Sequence, residues 1–462
     1  MNGELTADKR RALGKHARRA TPREAHAAFD VPADRDPITL LEQQAVSRVP
    51  ELVPVRYGRM LTSPFAFFRG GALVMAQDLS TTPRSGITVQ ACGDAHLANF
   101  GVFGTPERRL IFDVNDFDET LPGPWEWDVK RLCASLVIAG RHREFTDKQS
   151  RAAAVSAASS YRTAMRDFAT MATLDVWYAS LDIERVVADL GAQMSKSSRT
   201  RTAATLAKAR TRDSHQALAK LTSIVDGEPR IISDPPLIVP IEELLTAVDS
   251  DHLTEEINKT LARYRASLPS DRRMLLEQFE IVQIARKVVG VGSVGTMAWI
   301  LLLLGHNGDP LFLQAKEAEA SVMERFVGAS AYSNHGQRVV TGQRLMQASS
   351  DIFLGWDRTD AIDGHERDFY FRQLRDWKGS VDLEKINARG LSQYGAVCGW
   401  TLARGHARSG DRIQIAAYLG KGDAFDQAVA DFSCAYADQN DRDFDMLQQA
   451  VNDGRVKAQF GI

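Results

Sequence analysis

The chain of 462 residues has little net charge and few cysteines. Its 57 Lys and Arg residues nearly balance 59 Asp and Glu residues, which leaves a formal net charge of −2. This balance argues against a nucleic-acid partner or an anionic membrane surface, since both attract concentrated positive charge. The four cysteines form no CxxC pair and show no zinc-ligand spacing. A cysteine zinc site is therefore excluded, and we expect reduced thiols.

Long hydrophobic runs are also missing. The longest apolar run is TMAWILLLLG at residues 296–305, about half of the ~20 residues that a membrane helix requires. No secretory hydrophobic region follows the first residues, so we expect a cytoplasmic protein with no membrane partner. With 44% hydrophobic residues, the chain has enough apolar material for the cores of two or three units.

What the chain does contain is a pattern that changes along its length. Short β segments are predicted in GITVQACGDAHLANFGVF and RRLIFDVNDF, which are rich in β-branched and aromatic residues. From about residue 125 to 285 the apolar spacing is helical. Residues 286–316 alternate apolar runs with the turns GVGSVG and GHNGDP, and the β stretches DIFLGW and DFYFRQL precede a helical LSQYGAVCGWTLARGHARSG. The sequence therefore predicts an α+β protein.

Acids and amides cluster behind the first predicted β segment. Asp94, His96 and Asn99 lie within six positions, and Asp116 follows one strand later. Phosphoryl transfer needs a carboxylate beside the accepting hydroxyl and hard oxygen ligands for Mg²⁺. The spacing assigns the catalytic carboxylate to Asp94 and the metal to Asn99 and Asp116, while His96 either orients Asp94 or closes the loop. A polar turn with local capping bonds is the alternative.

Two more acids flank Asp116. Asp113 lies within the strand, and Asp118 stands two residues after Asp116. Both are candidates for acids that support the metal ligand without binding the metal themselves. Asp113 fits a hydrogen-bonded structural carboxylate equally well.

A glycine-rich segment later in the chain has the pattern of a phosphate-binding loop. Gly290, Gly292 and Gly295 follow the G-x-G-x-x-G spacing, with Ser293 between them. Glycines let the backbone approach phosphate oxygens closely. These four residues are therefore predicted to contact the phosphates of ATP.

A lysine stands where the strands after these glycines end. Lys316 closes the second of them, in FLQAKEA, which looks like the strand of protein kinases whose lysine bridges the α and β phosphates. A helix is predicted over about residues 318–326, and it offers Glu319 or Glu324 as the ion-pair partner of Lys316.

These parts come in an order rotated from that of a kinase. Kinases place the glycine loop and lysine before the catalytic loop, yet this chain has no lysine between Lys15 and Lys130. A circular permutation is the simplest account, and it is allowed where the original termini lie close together. We therefore predict a kinase-like two-lobed fold, circularly permuted, with a small antiparallel β lobe and a large mostly helical lobe. The expected units are an N-terminal helical, arginine-rich segment (1–87), the helical lobe with the catalytic and metal-binding loops (88–285), the nucleotide-binding β lobe (286–380), and a hinge with returning helices (381–462).

Two other interpretations of the glycine segment stay open. RKVVGVGSVG follows a strand, and Glu317 stands where a ribose-binding acid would in a Rossmann nicotinamide site. Against this, a turn comes only about ten residues later, which favours a hairpin over a crossover helix. The other alternative is a glycine bend that binds nothing.

An arginine-rich stretch precedes the first β segment. Arg56, Arg59 and Arg69 surround Ser63 in RYGRMLTSPFAFFRGG. Arginines beside an apolar anchor can hold a phosphate or carboxylate through two parallel hydrogen bonds. The three arginines are the predicted acceptor side of the site, and pairing with surface acids is an equal alternative.

Several of these motifs resemble known families. CGDAHLANFG is similar to the H-G-D-x-H-x-x-N loop of aminoglycoside-phosphotransferase-like and choline-kinase-like enzymes, with Cys92 in place of the first histidine. NDFDE looks like their metal-binding segment, and Asp128 resembles the aspartate that starts a buried helix and braces that loop. With SPFAFFRGGA, NDFDETLPGPWEWDVKRL, VGVGSVGT and FLQAKEA, the chain resembles the bacterial domain-of-unknown-function family 2252 over nearly its whole length. That resemblance implies the architecture and the residue set and no substrate.

Together these observations predict an ATP- and Mg²⁺-dependent phosphotransferase that acts on a hydroxyl acceptor. The expected partners are a nucleotide and a small-molecule acceptor, which the antibiotic- and choline-kinase-like loop favours over a protein. Three alternatives stay open: a nucleotide-binding regulator without turnover, a nucleotidyl transferase that modifies a protein, and a less favoured Rossmann-type NAD(P) oxidoreductase.

Overall fold

The computed structural model describes residues 5–185, 196–244, 250–288, 290–360, 365–374 and 377–462. Helices and small antiparallel sheets share these ranges, which confirms the predicted α+β class. Within the described ranges, no helix is both long and apolar enough to cross a membrane.

Most of the described chain is helical. The helices are α1 (Ala7–Ala20), α2 (Pro37–Ala45), α3 (Val53–Met60), α4 (Pro64–Gly70), α5 (Ala72–Ser80), α6 (Trp125–His142), α7 (Asp147–Phe168), α8 (Thr173–Tyr178), α9 (Lys196–Arg210), α10 (Ser214–Leu221), α11 (Ile241–Leu244), α12 (Ser250–Ala266), α13 (Ser270–Leu276), α14 (Glu324–Val327), α15 (His335–Met346), α16 (Ala388–Ser409), α17 (Arg412–Leu419) and α18 (Ala424–Asn452).

The strands are short, and those that share a ladder run antiparallel. They are β1 (Thr88–Ala91), β2 (Phe100–Gly104), β3 (Leu110–Val114), β4 (Leu121–Pro124), β5 (Leu181–Asp182), β6 (Thr222–Val225), β7 (Glu228–Ile231), β8 (Ile238–Pro240), β9 (Phe279–Lys287), β10 (Ala298–Gly305), β11 (Pro310–Glu317), β12 (Gly355–Asp360) and β13 (Glu366–Gln373).

Helices α6, α7, α16 and α18 pack around the largest hydrophobic core. An alanine-rich face on α7 lets α16 come very close, since a Cβ on Gly399 would lie 2.2 Å from the Ala157 carbonyl oxygen. Trp125, at the start of α6, stacks on Tyr161 of α7 with ring centroids 5.5 Å apart. This closely packed core supports the segment between β1 and β2.

The largest sheet has six strands in the order β12-β13-β11-β10-β9-β8. The glycine-rich segment joins β9 to β10, which are antiparallel neighbours, and Ala298 of β10 pairs with Lys316 of β11. The segment thus forms the predicted hairpin, whereas a Rossmann unit needs a parallel strand reached through a crossover helix. The sheet begins at Ile238, earlier in the chain than the predicted β lobe (286–380).

Two regions predicted as helical differ in the structure. Residues 318–323 are irregular, and only the short α14 follows them, because Ser321 Oγ and the Val322 backbone N–H donate to Glu119. Those bonds take the place of a regular helical turn. Between residues 125 and 285, the hairpin of β6 and β7 and the short strands β5 and β8 interrupt the helices, and β9 already begins at Phe279.

Candidate active site

Three of the predicted segments meet at one cleft of about 380 Å³. They are the catalytic loop (residues 92–99), the acidic loop (residues 115–119) and the glycine loop (residues 290–295). Helices α2, α4 and α5 and residues 317–325 complete the walls. The predicted site residues that line the cleft are Asp94, His96, Asn99, Asp116, Gly290, Gly292, Ser293, Glu319, Glu324 and Arg69.

Helix α6 holds the catalytic loop in place through Asp128. The buried Asp128 carboxylate accepts from the backbone N–H groups of Cys92, at 2.7 Å, and Gly93, at 3.0 Å. His406 of α16 lies 3.0 Å from the same carboxylate. Gly93 has φ +81°, and a Cβ there would lie 2.3 Å from the Glu119 carbonyl oxygen, so glycine is required. This is the bracing that the resemblance to phosphotransferases implies for Asp128.

Asp94 is positioned by an arginine one helical turn beyond Asp128. Arg131 Nε and Nη2 lie 2.8 and 2.7 Å from Asp94 Oδ1. Burial raises the pKa of Asp94 to about 6, although the ion pair with Arg131 acts in the opposite direction. His96 Nε2 lies 3.7 Å from the other Asp94 oxygen. Burial and the nearby Arg69 hold the pKa of His96 well below its usual range, so the ring is neutral.

Asn99 and Asp116 present oxygen atoms to the cleft. Asn99 Nδ2 donates to the Asp94 carbonyl at 2.8 Å, which leaves Asn99 Oδ1 as the acceptor of that side chain. Asp116 Oδ1 accepts from the Asp118 backbone N–H at 3.1 Å. Among the described residues, no three His, Cys, Asp or Glu side chains are grouped as a metal site. Two oxygen ligands fit Mg²⁺, which commonly binds one or two carboxylates and completes its shell with phosphates and water.

Lys316 reaches from β11 to the acidic loop. Its Nζ contacts Asp118 Oδ2 and lies 4.0 Å from Asp116 Oδ2. Tyr370 Oη donates to Asp118 at 2.6 Å, and Ser293 Oγ of the glycine loop donates to it at 3.3 Å. Burial alone would raise the pKa of Asp118, but Lys316 and Tyr370 lower it to about 2. Asp118 therefore stays ionised and joins the acidic loop to the sheet.

The structure gives Lys316 other partners than the two predicted glutamates. Glu324 accepts from the backbone N–H groups of Ser321 and Ser330, each at 3.1 Å, and lies 3.9 Å from Arg338 Nε. Its carboxylate is thus occupied by two backbone N–H groups and faces Arg338 instead of Lys316. Glu319 lines the cleft, and its backbone carbonyl accepts from Arg338.

The glycine loop is held by two arginines of the N-terminal part of the chain. Arg59 Nη1 donates to the Gly290 carbonyl at 2.6 Å, and Arg48 donates to the Val294 carbonyl. Gly290 has φ +67° and Gly295 has φ +91°, which are backbone conformations that residues with a side chain rarely adopt. Gly295 packs against Arg48, while Gly290, Gly292 and Ser293 face the cleft.

The three predicted acceptor-side arginines take different places. Arg56 is fully buried and donates to Gln44 and to the Gly70 carbonyl, so it joins α2, α3 and α4. Arg59 holds the glycine loop. Arg69 lines the cleft, and its buried Nε has no hydrogen-bond partner among the described residues. Of the three, only Arg69 is placed to meet an acceptor.

Arg131 and Tyr370 contact the site and were not predicted from the sequence. Arg131 stands three residues after Asp128 on α6, a spacing that places both on one helix face and was a usable signal. For Tyr370 the sequence carries no such signal, since it reaches Asp118 only through the pairing of β11 with β13.

A family model described as an uncharacterised protein conserved in bacteria matches residues 48–450. No curated protein and no solved structure matches the chain. The match includes the catalytic, acidic and glycine loops and Lys316.

Proposed function

The chain therefore belongs to that family, DUF2252, and we propose that it is an ATP- and Mg²⁺-dependent phosphotransferase with a kinase-like, circularly permuted fold. One observation carries the proposal: Lys316 lies 4.0 Å from Asp116 and contacts Asp118, although about 200 residues separate them. A strand lysine and a glycine loop facing an acidic loop are the parts that position a triphosphate and its metal.

Each group in the cleft has a separate part in this proposal. The glycine loop and Lys316 hold the phosphates, through backbone N–H groups and an ammonium charge. Asp116 and the Oδ1 of Asn99 would hold Mg²⁺, which neutralises phosphate charge when bound. Asp94 accepts a hydrogen bond from the acceptor hydroxyl and orients it for transfer. The ion pair with Arg131 favours the ionised carboxylate that this bond requires.

The spatial neighbours of α16 support the permutation. The Gln90 backbone N–H donates to Ser409 Oγ at 3.2 Å, across 319 positions of sequence. Helix α16 thus ends beside β1, the strand that leads into the catalytic loop. In a kinase-like chain, that helix and that loop are consecutive, and here they lie in opposite halves of the sequence.

Arg69 supports an acceptor bound on the α4 side of the cleft. Burial lowers the pKa of Arg69, and its guanidinium is close enough to Asp94 and Asp116 that both carboxylates act in the opposite direction. A hydroxyl placed between Arg69 and Asp94 would face the proposed metal site. The cleft volume of about 380 Å³ lies in the range of small-molecule sites, which supports a small-molecule acceptor.

Thermal shift and turnover measurements test the proposal together. Mg·ATP should raise the Tm, with less effect when Mg²⁺ is omitted, because ligands that bind only the folded chain stabilise it. ATP consumption should then depend on an acceptor from a panel of amino sugars and amino alcohols. Binding without turnover on any acceptor would favour a regulator, and transfer of the nucleotidyl group to protein would favour the second enzyme class. Stabilisation by NAD(P) and not by Mg·ATP would refute the proposal.

A further inference from the structure

Lys316 stands at the end of a mostly apolar sheet face. On β11 it shares that face with Phe312 and with the buried Gln314, whose Oε1 accepts from Arg372. On β10 the register places Ala298, Ile300 and Leu302 there. Ala285 of β9 pairs with Ile300 and extends the face. If the polyphosphate of a donor lies at Lys316, as the proposed function requires, this face is the apolar surface on which its base would stack.

The face is already covered by the protein's own side chains. Ala217 and Leu221 of α10 and Ile231 of β7 pack with Ala285, Ile300 and Leu302 in one hydrophobic cluster. Ala285, Ile300 and Leu302 are each 0% exposed. The Ile231 backbone N–H also donates to Gln283 of β9 at 2.7 Å, which fixes the covering hairpin to the sheet.

Backbone polar groups described at the edge of this face, those of Leu374, Trp377 and Lys378, also form hydrogen bonds within the protein. Beyond β13, the Trp377 backbone N–H donates to the Arg212 carbonyl at 2.8 Å. Arg212 Nη1 in turn donates to the Lys378 carbonyl at 2.9 Å. The Trp377 N–H and the Lys378 carbonyl could otherwise form hydrogen bonds with the edge of a base. Both are instead bonded to Arg212, at the start of the covering segment. The Leu374 N–H is likewise bonded, to the Phe312 carbonyl at 2.9 Å.

From these contacts we infer that the site recognises its donor through the polyphosphate and metal and not through the base. The substrate class is any nucleoside triphosphate, with the base left outside the sheet face covered by residues 212–231. The cleft itself remains open between the glycine loop and the acidic loop, and the buried Lys316 contacts its lining through Asp118. A polyphosphate chain reaches the predicted phosphate-binding groups there without displacing α10.

Calorimetry with three probes tests this inference. ATP, GTP and inorganic tripolyphosphate, each with Mg²⁺, should bind the full chain with dissociation constants within about threefold of one another, since a base that makes no contact adds little affinity. Lys316→Met should weaken all three alike. ATP binding more than tenfold tighter than tripolyphosphate, together with rejection of GTP, would overturn the inference and leave the proposed function intact. Binding of none of the three would overturn both.

Hydrogen exchange gives a second readout that depends on no variant. Saturation with Mg·ATP should leave amide exchange in residues 212–231 the same as saturation with Mg·tripolyphosphate does. Faster exchange of this segment with ATP alone would mean that the base displaces α10, and would contradict the inference even if affinities were similar.

Discussion

The catalytic loop and the glycine loop form facing walls of the cleft and are held in place by different contacts. Asp128 and Arg131 hold the catalytic loop through buried carboxylate and guanidinium groups of a single helix, α6. The glycine loop is held at its carbonyl oxygens by Arg48 and Arg59, which belong to the N-terminal part of the chain. The catalytic loop is thus held by a helix of the core, and the glycine loop is held by arginines that lie outside it.

Because of this difference, mutations around the two loops should have different effects. Removing a buried charged partner leaves its neighbour uncompensated in the interior, so changes around the catalytic loop should cost both stability and rate. The hydrogen bonds from arginines to the carbonyl oxygens of the glycine loop contribute less net stability, and they do not involve the catalytic side chains. Changes around the glycine loop should therefore alter donor affinity and leave the catalytic carboxylate untouched.

The largest effect is expected for Asp94→Asn. The amide keeps the shape of the side chain and loses the negative charge that aligns the acceptor hydroxyl. Turnover should fall at least about a hundredfold, while calorimetry should show Mg·ATP affinity within about twofold of the unmodified chain. Unchanged turnover would show that Asp94 does not have the proposed role.

Lys316→Met should weaken both donor binding and the fold. Loss of a charged hydrogen bond should lower Mg·ATP affinity about ten- to a hundredfold. It also leaves Asp118 without its cation, which should lower the free energy of unfolding by about 3 kcal/mol in urea denaturation. Lys457→Met, at an exposed position, is the matched control and should change neither quantity.

The rate of transfer should fall as the pH drops through about 6. Burial raises the pKa of Asp94 to about 6, and only the ionised form aligns the hydroxyl, so the rate should lose about tenfold per pH unit below that value. Arg131→Met should move the inflection upward, because the guanidinium opposes the effect of burial. Burial also raises the pKa of Glu119, to about 7. If Glu119→Gln removed the inflection, the assignment to Asp94 would be wrong.

Asp128→Asn tests the wall that belongs to the helical core. The new amide turns a donor toward the Cys92 and Gly93 N–H groups or toward His406. The free energy of unfolding should fall by about 1–3 kcal/mol, with a loss of turnover. Asp147→Asn, which changes a carboxylate that is 91% exposed, should lower the free energy of unfolding by less than about 0.5 kcal/mol and leave turnover the same.

Arg59→Met should have the smallest effect and one confined to the other wall. It removes the bonds to the Gly290 and Ile462 carbonyls. Affinity for Mg·ATP should drop about two- to tenfold, and turnover at saturating donor should stay the same. A fall in the saturated rate would indicate that the two walls are not independent.

Much of this site could be predicted from local patterns. The apolar runs beside the glycine loop are too short for a crossover helix, so a hairpin follows from sequence spacing and the structure has it. Asn99 directly precedes β2 and Asp116 follows β3, which pair as neighbours, and Asp94 lies in the loop that leads into β2. Residues so close along the chain are brought together by the strand geometry itself.

The partners of these residues could not be predicted in the same way. Lys316 meets Asp118 and not Glu319 or Glu324, because Glu119 draws residues 318–323 out of a helix. The cover over Ala285 and Ile300 likewise comes from a helix more than 60 positions upstream.

By itself the sequence determined most of the element types, the turn at the glycine loop and the residue classes of the cleft, since these depend on spacing along a few turns or strands. Only the tertiary structure decided which charges pair and which apolar face is covered. Those outcomes depend on which surfaces, distant in the sequence, pack together and exclude water. A local sequence pattern does not contain that information.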